Sequence, residues 1–224
     1  MSKQQKDNGR IIKETETFYC SLEGESQEKE YFDRIEELVK TSNSKKQVKF
    51  RYSLSSSSGG DALEVVKRLI AGTKFYDKKV TNGKMAAIFD YDGKDKRFKD
   101  AIDLCDKNNI KHAYSNYCFE LWLLLHKTDC PGVVTDAQGY DDKIIKTYNL
   151  VPGDNLKSQR IMKKIVNQIT LNDIYAAIAR AKRIEEKCKD TGIVIHNGKE
   201  CHYQQPFLKI HVFLEEVFGR IGLL

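Results

Sequence analysis

The 224-residue chain has no long apolar run, no C-x-x-C pair, no internal repeat and no heptad pattern. Each absence removes a class of protein. The longest nearly unbroken apolar stretch after residue 110, Cys118 to Leu125, holds Glu120. It is far shorter than the ~20 residues of a membrane-spanning helix. The opening MSKQQKDNGR lacks the apolar centre of a signal peptide and reads as a frayed polar start over residues 1–13. Without an export signal, the six cysteines read as reduced thiols of a cytoplasmic protein rather than a disulfide framework. His196, Cys201 and His202 are zinc-type ligands in a glycine-containing stretch, but a structural zinc site takes four ligands and no second cluster has suitable spacing. What is present, 40% hydrophobic and 31% charged residues, is the composition of a globular chain of one domain, or one domain with an appendage.

The net charge of +6 is unevenly placed. Between Lys143 and Lys189 there are eleven Lys or Arg against four Asp or Glu, a surplus larger than that of the whole chain. A basic half of this kind points to a polyanionic partner, most often nucleic acid; its bland counterpart is a solvated, lysine-rich helical surface.

The stretch AAIFDYDG (86–93) is the organising element. Four apolar residues without alternation predict a strand buried on both faces, as in a parallel sheet flanked by helices. Asp90 and Asp92 then fall at its carboxyl end, where open α/β sheets bind ligands; two residues apart on a strand, they point to one side. Around it the pattern predicts a strand ending at Glu23, a helix from Ser26 to about Ser42, and a strand Val48 to Leu54. A helix Ala62 to Ile70 capped by Asp61, a helix Arg97 to Lys107 and a strand Ile110 to Tyr114 follow. The alternation argues an α/β fold with a mostly parallel sheet over residues 14–130. Phe119 to Leu125 forms a helix apolar on nearly every side and therefore buried. Beyond Pro131 the pattern turns helical, so residues 131–224 form a basic helical region packed on the sheet domain. One helix is lined by Leu156, Ile161, Ile165 and Ile169, with Lys157, Arg160 and Lys164 on another side. A second runs from a cap at Asn172 to Cys188 with Arg180, Lys182 and Arg183 outward, and the last spans Phe207 to Val217.

Parallel strands end at one edge of their sheet, so Glu23, Asp90, Asp92, Ser115 and Glu120 converge there. Carboxylates gathered in this way hold the divalent cations that phosphodiester hydrolysis uses. A strand ending E-G and a later apolar strand ending D-x-D resemble the Toprim domain of topoisomerases, primases and OLD-type nucleases. More closely, EGESQEKEYF (23–32), FDYD (89–92) and SNYCFELWLLLH (115–126) resemble the RloB family, over about residues 14 to 190. RloB-like and AbiLii-like proteins are associated with bacterial abortive infection and anti-phage defence, often beside an AAA or ABC-like ATPase. The resemblance implies a Toprim-like domain with helices on both faces of its sheet, and a nuclease dependent on Mg²⁺ or Mn²⁺. Glu23 is then a metal ligand or general acid/base, Asp90 and Asp92 are ligands, and Glu120 is a further acid at the metal. Lys157, with Lys146 as second choice, stabilises the transition state, and Lys157, Arg160, Lys164, Arg180 and Arg183 bind nucleic acid. DNA and RNA stay open as substrates, transfer RNA among them by analogy, as does self-association into a homo-oligomer. Gln27 departs from the family, which more often has a small hydroxyl residue before the acid. Glu25, Glu28 and Glu30 read as a solvated helix face.

Two other classes compete. AAIFDYDG also looks like the first motif of haloacid-dehalogenase-type phosphatases, but Lys94 stands where a hydroxyl residue is expected and Asp141-Asp142 precedes the candidate Lys143. The other is a non-catalytic module of the same fold that binds nucleic acid or an ATPase. A calcium loop starting at Asp90 fails because its twelfth position is Ala101.

Overall fold

A computed structural model describes residues 6–7, 10–11, 13–24, 26–53, 61–74, 82–91, 95–116, 118–129, 137–188, 193–196, 199–202 and 208–224. Two short strands, β1 (Lys6–Asp7) and β2 (Arg10–Ile11), pair antiparallel ahead of the main sheet. That sheet has four strands, all parallel: β3 (Thr15–Leu22), β4 (Gln47–Ser53), β5 (Met85–Tyr91) and β6 (Lys111–Asn116), in the order β4-β3-β5-β6. The predicted α/β fold is thus what the chain forms. The crossover helices are α1 (Gln27–Lys40), α2 (Ala62–Thr73) and α3 (Asp95–Lys107). Passing from β3 to β4 runs one way across the sheet, and passing from β4 to β5 to β6 runs the other. Right-handed crossovers therefore place α1 on one face and both α2 and α3 on the opposite face.

The packing agrees with that rule. Phe18 and Phe50 are register partners on the α1 face, and there they meet Phe32 of α1 and Phe213 of the last helix, α8 (Ile210–Ile221). On the other face Phe89 and Tyr114, also register partners, meet Phe98 of α3. Ala86 to Phe89 are all buried, as a strand covered on both faces requires. Strand β5 continues past Phe89 because Asp90 and Tyr91 still pair with Ser115 and Asn116 of β6, so Asp90 is a strand residue rather than a turn residue.

The C-terminal half is built around α4 (Glu120–Leu125), every residue of which is buried. Helices α5 (Ala137–Thr147) and α7 (Leu171–Cys188) pack on it, and α6 (Gln159–Val166) packs on α1. Its partners are specific: His126 Nε2 meets the Tyr31 hydroxyl at 3.0 Å, His126 Nδ1 meets the Trp122 carbonyl at 2.9 Å, and Tyr148 donates to the Leu123 carbonyl at 2.7 Å. Burial pulls the His126 pKa down to about 4, which keeps the ring neutral inside the core.

Several predicted boundaries move. Thr170, not Asn172, caps α7, in a reciprocal capping box: the Thr170 amide donates to Asp173 at 2.8 Å, and the Asp173 amide to the Thr170 hydroxyl at 3.2 Å. Helix α5 has no distinct signal in the sequence, because Gly139 and its charges dilute an apolar stripe that rests on Tyr140 and Ile144. The C-terminal half is also not wholly helical: β7 (Ile193–His196) and β8 (Lys199–His202) form a hairpin that carries the three zinc-type residues. Among the described residues no helix is long and apolar enough to cross a membrane.

Removing the Phe213 ring from the aromatic cluster should cost about 3–5 kcal/mol, and removing the Thr170 cap about 1 kcal/mol. Urea unfolding of Phe213→Ala and Thr170→Ala measures both. A Phe213→Ala midpoint equal to wild type would overturn the placement of α8 on the sheet.

Candidate functional site

Strand order positions the acids. The chain leaves β3 toward one edge of the sheet and leaves β5 toward the other, so a crevice opens between their carboxyl ends. Glu23 follows β3 directly, and Asp90 is the last but one residue of β5. They meet across the crevice: the Asp90 amide donates to Glu23 Oε2 at 2.7 Å, and the Glu23 amide donates to the Ile88 carbonyl at 3.0 Å. Parallel register puts the Asp90 side chain on the α1 face, beside that of Ser115. The buried Ser115 hydroxyl donates to the Cys118 carbonyl at 2.6 Å and shapes the turn into α4. Burial raises the Cys118 pKa, and the charges of Glu120 and Asp90 raise it further.

Glu120 begins α4, where the helix dipole favours an acid. It is only 6% exposed and accepts from Gln27 Nε2 at 2.5 Å. The same amide nitrogen reaches the Leu156 carbonyl at 3.4 Å, and the Ser26 hydroxyl donates to the Lys157 carbonyl at 2.7 Å. These bonds dock the 156–159 segment on the start of α1 and bring Lys157 to the acids.

That docking corrects the reading of the α1 acids as a solvated face. Glu28 is 4% exposed and Glu30 7%, because a segment some 130 residues away in sequence roofs them. Glu30 accepts from Gln159 Nε2 at 2.5 Å. Glu28 Oε1 accepts from the Gly24 amide at 3.3 Å, while among the described residues its buried Oε2 has no hydrogen-bond partner. Burial lifts the Glu28 pKa to about 7; the charge of Glu120 pushes it up further and that of Lys157 opposes it. Gly24 is the residue that permits this approach, since a Cβ there would collide with Glu28 Oε2. Asp141 of α5 belongs to the same group. Burial raises its pKa, with Glu120 adding and Lys157 opposing. Sequence reasoning considered Asp141 only as part of a phosphatase motif; its tie to Glu120 is a tertiary contact between α4 and α5 and left no local signal.

The structure therefore brings Glu23 to Asp90, while Glu28 and Asp141 both feel the charges of Glu120 and Lys157. Asp92 and Glu25 lie outside the described residues. Among the described residues no three His, Cys, Asp or Glu side chains are close enough to hold an ion. The donors are nonetheless carboxylate oxygens, the ligand type of Mg²⁺ and Mn²⁺, and the unpartnered Glu28 oxygen is the kind of buried acid that a cation would satisfy.

The five predicted nucleic-acid residues lie on two different helical segments. Lys157 precedes α6, Arg160 lies in its first turn and Lys164 in its last, all exposed, with Arg160 3.9 Å from Asp154. Arg180 instead caps the far end of α4, donating to the Leu125 and His126 carbonyls at 2.8 and 3.3 Å, and it shares Asp129 with Arg183.

The Glu28 carboxyl gives a pH signature. Its folded pKa lies above the ordinary value of 4.5, so ionisation destabilises the fold as pH rises from about 4.5 through about 7. Glu28→Gln should melt like wild type near pH 4. At pH 8 without divalent cations it should be more stable by about 2 kcal/mol, roughly 5 °C in Tm. An equal difference at both pH values would show that Glu28 is not the titrating group.

Comparison with curated proteins and with solved structures returned no match. A protein-family model described as RloB-like protein matches residues 18–217, which takes in β3 to α8 and so every acid described above. The chain belongs to the RloB-like protein family.

Proposed function

We propose that this chain is a Toprim-type, metal-dependent nuclease that hydrolyses phosphodiester bonds of DNA or RNA. The observation that carries the reading is the meeting of Glu23 and Asp90, from two separate strands, at the switch point of a parallel sheet. Glu23, Asp90 and Asp92 would hold Mg²⁺ or Mn²⁺, with Glu120 as a further acid. The ion, when bound, activates water and neutralises charge on the attacking and leaving oxygens. The protein's own groups do the rest. Gln27 fixes the orientation of Glu120, and the Asp90 amide fixes that of Glu23. Lys157, held by its backbone against Ser26, presents an ammonium to the phosphoryl group undergoing attack. Glu28, with a pKa near neutrality, suits proton transfer at physiological pH.

Lys157, Arg160 and Lys164 would track the polyanionic backbone. Contacts of this kind position a strand without reading its bases, so DNA, RNA and transfer RNA differ in shape rather than charge for this surface. Family membership supports placing the activity in the cytoplasm, in anti-phage abortive-infection defence, with an AAA or ABC-like ATPase as partner.

The test is cleavage of labelled single-stranded and duplex DNA, transfer RNA and other RNA, with Mg²⁺, Mn²⁺ or chelator, with and without the neighbouring ATPase. Wild type should cut only with metal, and Asp90→Ala, Asp92→Ala and Glu23→Gln should each lose at least about 100-fold in kcat. Lys157→Ala should lose about 10- to 100-fold with its melting curve unchanged. Full cutting by Asp90→Ala, or cutting in chelator, would end the nuclease reading. Metal-independent binding of nucleic acid or the ATPase without cutting would replace it by the non-catalytic module.

A further inference from the structure

Helix α2 carries a cation that, among the described residues, has no acid to pair with. The helix follows β4, so it begins at the carboxyl edge of the sheet, and it packs on β3 and β5, the two strands between which the crevice opens. The acids at its start are held by other cations. Arg97 of α3 donates to Asp61 from Nε at 2.6 Å and from Nη2 at 3.0 Å, and its Nη2 also reaches Glu64 at 3.0 Å. Lys67 adds a contact to Glu64 at 3.1 Å. Arg68 is left half-buried in the middle of the helix. Among the described residues its one hydrogen bond runs from Nη2 to the Leu22 carbonyl at 3.1 Å, and its Nε is buried without a partner.

That bond falls on the peptide that leads into the acidic edge. The Gln47 amide donates to the Glu14 carbonyl at 2.8 Å, so by alternation the carbonyls of β3 in step with it point toward β4. The Leu22 carbonyl is the last of that row and lies past the final pair of the two strands, Ser21 with Ser53. It accepts from Arg68, whose side chain leans toward the start of α2 and so toward the carboxyl edge. The N–H of the same peptide belongs to Glu23, faces the other way and donates to the Ile88 carbonyl of β5 at 3.0 Å. The Leu22–Glu23 peptide is thus held from both sides, by α2 and by β5, directly ahead of the carboxylate that accepts from the Asp90 amide. A hydrogen bond from a guanidinium is about twice as strong as one between neutral groups. Where an acid shares the guanidinium, a carbonyl contact is incidental; here the carbonyl is the partner that fixes the side chain.

We propose that Arg68 is the positioning residue of Glu23: by holding the Leu22 carbonyl it sets the peptide from which the Glu23 carboxylate reaches Asp90. It acts from the face of the sheet opposite α1, and touches neither metal nor substrate. The inference rests on the nuclease reading only in giving Glu23 a metal to hold; the placement of Glu23 is a property of the fold and is measured without one.

The experiment compares the full chain with Arg68→Ala, Arg68→Lys and, as a control, Lys67→Ala at the exposed neighbour. Amide hydrogen exchange without metal is read at Glu23 and at Tyr19, whose amide donates to the Lys84 carbonyl at 2.8 Å deeper in the same strand. Arg68→Ala should speed exchange at Glu23 at least about tenfold and leave Tyr19 unchanged, and Lys67→Ala should match wild type at both. Arg68→Lys keeps a charged donor and should fall between wild type and Arg68→Ala; it carries the comparison if Arg68→Ala fails to fold. Mn²⁺ affinity should drop about 10- to 100-fold in Arg68→Ala, and kcat should fall with the KM for nucleic acid unchanged. Exchange at Glu23 at the wild-type rate in both Arg68 variants, equal acceleration at Glu23 and Tyr19, or an unchanged affinity for Mn²⁺ that wild type binds would each overturn the assignment. A wild type that neither binds Mn²⁺ nor cuts would end the nuclease reading instead, and the exchange rates would still decide the role of Arg68.

Discussion

The parallel pairing of β3 with β5 is the constraint on which the acidic edge depends. Because the two strands are neighbours yet their crossovers leave in opposite directions, neither helix covers the carboxyl ends, and the crevice is a product of chain order rather than of local sequence. Strand register then settles which side chains share it. A slip of one residue in β5 would turn Asp90 to the α2 and α3 face and aim Tyr91 at the acids. The doubly buried Ala86 to Phe89 segment weakly forbids such a slip, since both faces are apolar. The bond from the Asp90 amide to Glu23, and the aromatic contacts of Phe89 with Phe98 and Tyr114, supply the missing discrimination. The interaction that organises the acids thus also pins the strand.

Gathering acids under a roof works against stability. Glu28 and Glu120 are nearly excluded from water, the charge of Glu120 raises the cost of ionising Glu28, and Asp141 adds a third carboxyl that feels Glu120. A chain selected for stability alone would place apolar or amide side chains there. Two amides are present, Gln159 on Glu30 and Gln27, which bridges Glu120 and the Leu156 carbonyl and so joins the two halves of the molecule at the acids themselves.

How much of this is readable in the sequence depends on the range of the interactions involved. Strand β5, the Asp61 cap and the buried α4 are set by patterns of a few residues, and each appears where the pattern places it. The meeting of Glu23 with Asp90 is legible one step further on, because parallel strands share an edge. Glu28 is only partly legible. Its spacing, four residues before Phe32 and seven before Ile35, puts it on the buried stripe of α1, but its charge reads as solvated until residues 156–159 arrive to roof it. Asp141 is hidden for the same reason, and helix α5 because its stripe is short. Asp92 falls beyond the described residues, so the D-x-D pair is legible in sequence and half seen in structure.

Charge shows the same limit from the other direction. The basic surplus between Lys143 and Lys189 is real, but surplus is not the same as available charge. Arg180 satisfies the terminal carbonyls of α4, the favoured place for a cation at the negative end of a helix. Lys182 is paired with Glu215, and Arg183 with Asp129. The pairing fixes α4 at both ends, Glu120 to Gln27 at one and Arg180 at the other. A helix held in this way keeps its first carboxylate at a set distance from Asp90 while the rest of its length is locked in the core. Removing the Arg180 guanidinium would therefore act on the acidic edge through the helix, even though nine residues separate Glu120 from Asp129, where that arginine also anchors. Within the basic half, the exposed cations are those at and just before the start of α6, and those on α7 serve first to hold the frame.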